Sequence, residues 1–158
     1  MKKLVKTLLI ISLALATFVL SSCSQPNGSS GGIESYLNGN NINATTLFGT
    51  WKSIYIENDE SNSIKFSSPD KYEFIFQNSY ANFEGTFSVY NDKLILNRPG
   101  ADPSQVTTKI IIKNNKLYLF KNYISDDEIR IAYKQYGSFY NTVEEFLIQA
   151  CKAIYVKQ

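Results

Sequence analysis

The stretch Lys71-Tyr72-Glu73-Phe74-Ile75-Phe76-Gln77 decides the fold. Tyr72, Phe74 and Phe76 fall on one side of an extended chain, and Lys71, Glu73 and Gln77 on the other. Such strict alternation marks a strand with one face in a core and one in water. The pattern continues downstream. Phe83, Phe87 and Val89 alternate with Glu84, Thr86 and Ser88, and Gly85 falls on the apolar face. Leu94 and Leu96 precede the break Arg98-Pro99-Gly100. Thr108, Ile110 and Ile112 lead into Asn114-Asn115, a two-residue hairpin signal, and Leu117 and Leu119 follow. Ile129, Ile131 and Tyr133 read as a last strand, and segments 49–56 and 62–67 add two more at the start. Short strands punctuated by turns every 8–12 residues predict an antiparallel sandwich or barrel of up to eight strands.

One helix is expected after these strands. Thr142-Val143-Glu144-Glu145 is a capping-box pattern, in which the Thr hydroxyl accepts from the Glu145 N–H. Val143, Phe146, Leu147, Ala150, Cys151 and Ile154 then recur at helical spacing, with Cys151 as a packing thiol. The fold class is therefore all-β: an antiparallel up-and-down barrel with one C-terminal α-helix.

The opposite end of the chain carries a different kind of signal. Lys2, Lys3 and Lys6 precede the apolar run Leu8–Leu20, and small Ser21 and Ser22 follow. Positive, apolar and small segments in that order make a secretory signal, too short to span ~30 Å of hydrocarbon. Leu20-Ser21-Ser22-Cys23 resembles the lipobox of bacterial lipoproteins. The resemblance implies cleavage before Cys23, a diacylglyceryl group on its thiol and usually acylation of the new amino group. Two or more chains hold a protein firmly to a bilayer, where one holds it marginally. The expected partner is thus a membrane, through lipidated Cys23, in the cell envelope. Ser24 in place of an aspartate leans toward an outer membrane.

Cleavage removes three of the 16 basic residues and none of the 14 acidic ones, leaving a mature chain of charge −1. That balance gives no basic footprint for nucleic acid. The Gly/Ser/Asn-rich start of the mature chain, residues 23–46, reads as lipid anchor and flexible tether, and residues 47–158 as the barrel with its helix. The chain has no histidine, which removes Ser-His-Asp and Cys-His nucleophiles and most zinc-hydrolase ligand sets. The acidic clusters Glu57-Asn58-Asp59-Glu60 and Asp126-Asp127-Glu128 lack the spacing of a calcium loop and read as solvated turns. No enzyme, cofactor or metal site is expected.

Leu47-Phe48-Gly49-Thr50-Trp51 resembles the start of a lipocalin-type barrel, which opens its first strand with Gly-x-Trp. In that family the Trp plugs the closed end of the barrel, and an Arg or Lys from the last strand stacks on it. The resemblance therefore pairs Trp51, the single tryptophan, with Arg130 in the expected last strand. Period two points Arg130 away from Ile129 and Ile131, so the pairing requires a bulge or a redirecting strand end. The resemblance also implies a small apolar or amphipathic ligand inside the barrel, with Tyr72, Phe74, Phe87 and Tyr133 as candidates to touch it. The alternative is a barrel filled by its own aromatic side chains that contacts another envelope protein.

Overall fold

A computed structural model describes residues 31–38, 41–56, 63–76 and 82–158. The signal segment, Cys23 and the Glu57–Glu60 cluster lie outside these residues. Eight strands form one closed antiparallel barrel in simple up-and-down order. They are β1 (Gly49–Ile56), β2 (Ser63–Ser67), β3 (Lys71–Ile75), β4 (Phe83–Tyr90), β5 (Lys93–Asn97), β6 (Gln105–Lys113), β7 (Lys116–Phe120) and β8 (Cys151–Lys157). Among the described residues four α-helices accompany them: α1 (Gly31–Leu37), α2 (Ala44–Leu47), α3 (Asp126–Tyr136) and α4 (Val143–Ile148).

Alternation sets the register. Phe66 faces Tyr72 across β2 and β3, and Phe87 faces Leu96 across β4 and β5, so the apolar faces of successive strands meet inside. Asn114 and Asn115 both adopt positive φ, closing the two-residue β6–β7 turn as their types favour. Closure comes where β1 pairs with β8, Trp51 opposite Lys157 and Ser53 opposite Tyr155. An irregularity between Ser53 and Tyr55 breaks that register, which is how a strand bends at a barrel edge.

Two predicted elements differ from the observed ones. Ile129-Arg130-Ile131-Ala132-Tyr133 is not the last strand but the middle of α3. Ser125-Asp126-Asp127-Glu128 forms a full capping box there, with the Ser125 hydroxyl and the Glu128 carboxylate each serving the other's backbone N–H. Ile129 and Ala132 are the buried residues of α3, and their three-residue spacing is helical. The C-terminal helix begins as expected, with Thr142 capping the Glu145 N–H, but stops at Ile148. Residues Cys151–Lys157, expected to prolong it, supply the eighth strand instead.

Residues 31–38 and 41–46, within the expected tether, are folded. Ile33 and Leu37 of α1 and Ile42 before α2 are buried. Asn43 caps α2, its side-chain oxygen accepting from the Thr46 N–H at 3.1 Å. Two cores result. One fills the barrel and includes Trp51, Phe66, Tyr72, Phe87, Leu94 and Tyr155. The other lies outside it, where Ile33, Leu37, Ile129 and Leu147 cover Ile111, Tyr118, Phe120, Cys151 and Ile154.

Candidate functional site

Three of the four candidate ligand contacts stand inside the barrel. Tyr72 and Phe87 are buried in its core, and Phe74 is partly buried against them. Phe87 meets Phe66 edge-on with ring centres 4.9 Å apart, and Tyr72 meets Phe74 likewise at 5.4 Å. These edge-to-face contacts are the favoured geometry of packed rings. The Tyr72 ring also lies over Gly85, its cross-strand partner. A Cβ at Gly85 would stand 2.9 Å from that ring and 2.0 Å from the Asn97 carbonyl oxygen, so glycine there makes room for the tyrosine. Burial pushes the Tyr72 hydroxyl pKa up, and the hydroxyl donates to the Asn97 carbonyl at 3.4 Å.

Tyr133 stands elsewhere. It lies on α3 outside the barrel, edge-on to Phe146 at 5.2 Å, and cannot contact anything within the barrel. The barrel-end pair is also corrected. Arg130 belongs to α3, where its Nε and one terminal nitrogen donate to the two carboxylate oxygens of Glu34 at 2.8 and 3.0 Å. Its other terminal nitrogen donates to Asp127. The cation over Trp51 is Lys157, with Nζ 5.2 Å from the ring centre. Lys157 belongs to β8, directly opposite Trp51 on β1. At this distance the contact contributes ~0.5–2 kcal/mol.

The local sequence explains the geometry of this end. Trp51 is buried and its indole N–H donates to the Leu47 carbonyl at 2.7 Å, tying β1 to α2. Lys157 donates to the Thr46 carbonyl at 3.3 Å on the way to the ring. Gly49 holds φ at +121°, and a Cβ there would come within 3.3 Å of the Lys157 side chain. Gly-x-Trp thus gives the chain a left-handed step and open space for the lysine. Ile42 and Leu47 complete the cover over this end.

A separate cleft of ≈ 290 Å³ opens on the outer side, lined by Leu37, Asn91, Asp92, Lys109, Tyr123 and Asp126. Lys109 lies on the outward face of β6 yet is only 1% exposed. Its ammonium bonds Asp92 in the β4–β5 turn and Asp126 in the first turn of α3, the latter at 2.6 Å. Desolvation of a lone ammonium would cost several kcal/mol, and the two carboxylates offset it. The arrangement fastens the start of α3 to the barrel and leaves the amine bonded to acids, not poised as a nucleophile. Sequence reasoning missed it because Lys109 is covered only by elements distant along the chain. Lys157 was missed because the final strand was read as helix.

Cys151 is buried beneath α4, and burial raises its thiol pKa, so it stays a thiol. Among the described residues no group of three or more His, Cys, Asp or Glu stands close enough to hold a metal ion. No helix among them is long and apolar enough to cross a membrane. No protein-family model, curated protein or solved structure matches the chain.

Proposed function

We propose that this chain is a lipid-anchored protein of a bacterial envelope that acts through the outer surface of a self-filled barrel, by contacting another envelope protein. The anchor rests on the order of basic, apolar and small residues ahead of Cys23. The observation that carries the rest is the barrel interior. Trp51, Phe66, Tyr72, Phe87 and Tyr155 are all buried there and occupy the space a ligand would need. An eight-stranded barrel is just wide enough for side chains or for one small ligand. Five large rings favour the first use.

A second reading has one observation in its favour. Phe83 pairs directly with Phe74, whose side chain faces the barrel core, and yet Phe83 remains 41% exposed. The end of the barrel where β3 stops and β4 starts therefore offers apolar surface to a small apolar or amphipathic molecule. The two readings separate in one experiment. The chain is purified from membranes in mild detergent, denatured and extracted, and the extract is weighed by mass spectrometry. The filled-barrel reading expects no small molecule in proportion to protein and, with photo-crosslinking groups at exposed β2 and β4 positions in cells, discrete protein adducts. An apolar molecule recovered one per chain, whose removal lowers the unfolding temperature, would overturn it in favour of the second. Cys23→Ala tests the anchor: the domain should fold and leave the membrane fraction.

A further inference from the structure

We propose that the α3 side of the domain lies against the bilayer, with Ile131 and Phe139 entering the headgroup region. The inference rests on the lipid anchor at Cys23 and adds to it an orientation. Ile131 is 64% exposed and Phe139, in the 3-10 turn Gly137–Phe139 that prolongs α3, is 78% exposed. Ile131 lies in α3 and Phe139 in the turn that directly follows it, so one segment carries both exposed apolar side chains. Lys134 and Gln135, between them in the chain, are exposed too. From Ile129 to Val143 the chain carries no acid. Lys134 is its exposed cation, since Arg130 is paired with Glu34 and Asp127, and Tyr136 stands between Lys134 and Phe139. Aromatic and aliphatic side chains beside lysine and arginine are the composition of surfaces that sit at a lipid interface.

The acids at the start of α3 do not oppose this. Asp126 is bonded to Lys109, Asp127 to Arg130, and Glu128 closes the capping box. The approach is therefore by the C-terminal half of the helix, where a cation near anionic headgroups gains about 1 kcal/mol.

Chain length decides which side is available. The first described residue is Gly31, at the start of α1. Eight residue steps from Cys23 to Gly31 reach at most ~29 Å, at the limit of 3.6 Å per residue. A domain of roughly 130 residues has a radius of gyration of about 14 Å and is roughly 36 Å across. The anchor is thus shorter than the domain is wide, and it ends on α1. That helix packs beside α3 in the outer core and is joined to it by the two-pronged Arg130–Glu34 ion pair. The bilayer is held on the side that carries Ile131 and Phe139.

The test uses the full lipidated chain in vesicles of phosphatidylethanolamine and phosphatidylglycerol with brominated acyl chains, which quench indole at close range. Three variants each add one tryptophan at an exposed site: Ile131→Trp, Phe139→Trp and, on β2 in the uncovered half, Lys65→Trp. Trp51 is buried in the barrel and supplies a common background. The expected result is loss of the added emission, with a blue shift, at 131 and 139, and none at 65. Vesicle-bound chain with no quenching at 131 or 139, or with equal quenching at all three, overturns the orientation while the anchor stands. Chain that does not float with vesicles and carries no lipid mass on Cys23 overturns both.

Discussion

Strands β2–β4 and strands β6–β8 belong to one closed barrel, yet they meet the outside in opposite ways. In the first group the outward face carries the exposed polar residues Lys65, Glu84 and Ser88. In the second, outward Ile111, Tyr118, Phe120 and Ile154 are as buried as the residues facing in. The difference is the layer of α1, α3 and α4 laid over β6–β8. A half-covered barrel has one core that strand alternation builds alone and another that exists only when distant segments dock. The second core is where the chain commits its N-terminal segment and its last strand to the same place.

Truncating the outward face should therefore matter in one half and not the other. Phe120→Ala, on the covered face of β7, is expected to cost about 3–5 kcal/mol, the usual loss for a buried ring. Ser88→Ala, on the bare face of β4, should stay within roughly 0.5 kcal/mol. Urea unfolding of the two variants checks this. Comparable losses would mean that the helical layer does not cover the sheet as described.

The same contrast explains how much of the fold was legible in the sequence. Period two was plain in Lys71–Ile75 and Phe83–Tyr90 because water lies on one side of those strands. Cys151, Ala153, Ile154 and Tyr155 are buried across both faces of β8, with Lys152 exposed among them, so the apolar positions lose period two and fit a helical stripe equally well. Ile129-Arg130-Ile131 failed in the other direction. Its alternation looked like a strand, while Ser125-Asp126-Asp127-Glu128, the same Ser/Thr-x-x-Glu sequence pattern as Thr142-Val143-Glu144-Glu145, stood just ahead of it. The eight-strand count survived because one false strand replaced one unseen strand. For the site, Tyr72, Phe74 and Phe87 could be placed by alternation, whereas Lys157 required the true last strand and Lys109 required knowing what α3 covers.

Within the bare half, Gly85 is the position that tolerates least. Gly85→Ala puts a methyl against the Asn97 carbonyl and the Tyr72 ring at once. Overpacking of this kind costs about 1–3 kcal/mol, and contact with backbone places it at the upper end. Calorimetry of Gly85→Ala beside Gly100→Ala separates crowding from conformation. Gly100 has φ +77°, but a Cβ there meets nothing within 4 Å. If the two variants lose the same amount, the close Tyr72–Gly85 approach is wrong.

At the seam between the halves, Lys157→Ala should lower stability by about 0.5–2 kcal/mol and shift the emission of Trp51, the ring it covers. Arg130→Ala should leave that emission unchanged, because its guanidinium is bonded to Glu34 and Asp127 instead. A Trp51 shift in the arginine variant would restore the pairing that the structure replaces.

The smallest effect tests the clasp that holds α1 to α3. Hydrogen bonds from Arg130 hold the Glu34 carboxyl below its usual value of 4.5, against a weaker opposing push from burial. Glu128 is held down likewise by the Ser125 hydroxyl and backbone N–H. A carboxyl whose folded pKa is depressed adds stability above its unfolded pKa, and that contribution fades as pH falls through the folded value. Glu34→Gln should therefore unfold at a slightly lower temperature than the parent chain at pH 7, and the gap should close as pH falls below the usual carboxyl value of 4.5 and through the lowered folded one. Glu128→Gln should behave in the same way, since it too loses a charge that the fold favours. Both carboxylates lie near solvent, so the differences are small and shrink further in salt. Thermal melts at pH 7 and pH 3 decide the matter. A Glu34→Gln deficit that persists undiminished at pH 3 would show that shape, and not the ionised pair, joins the two helices.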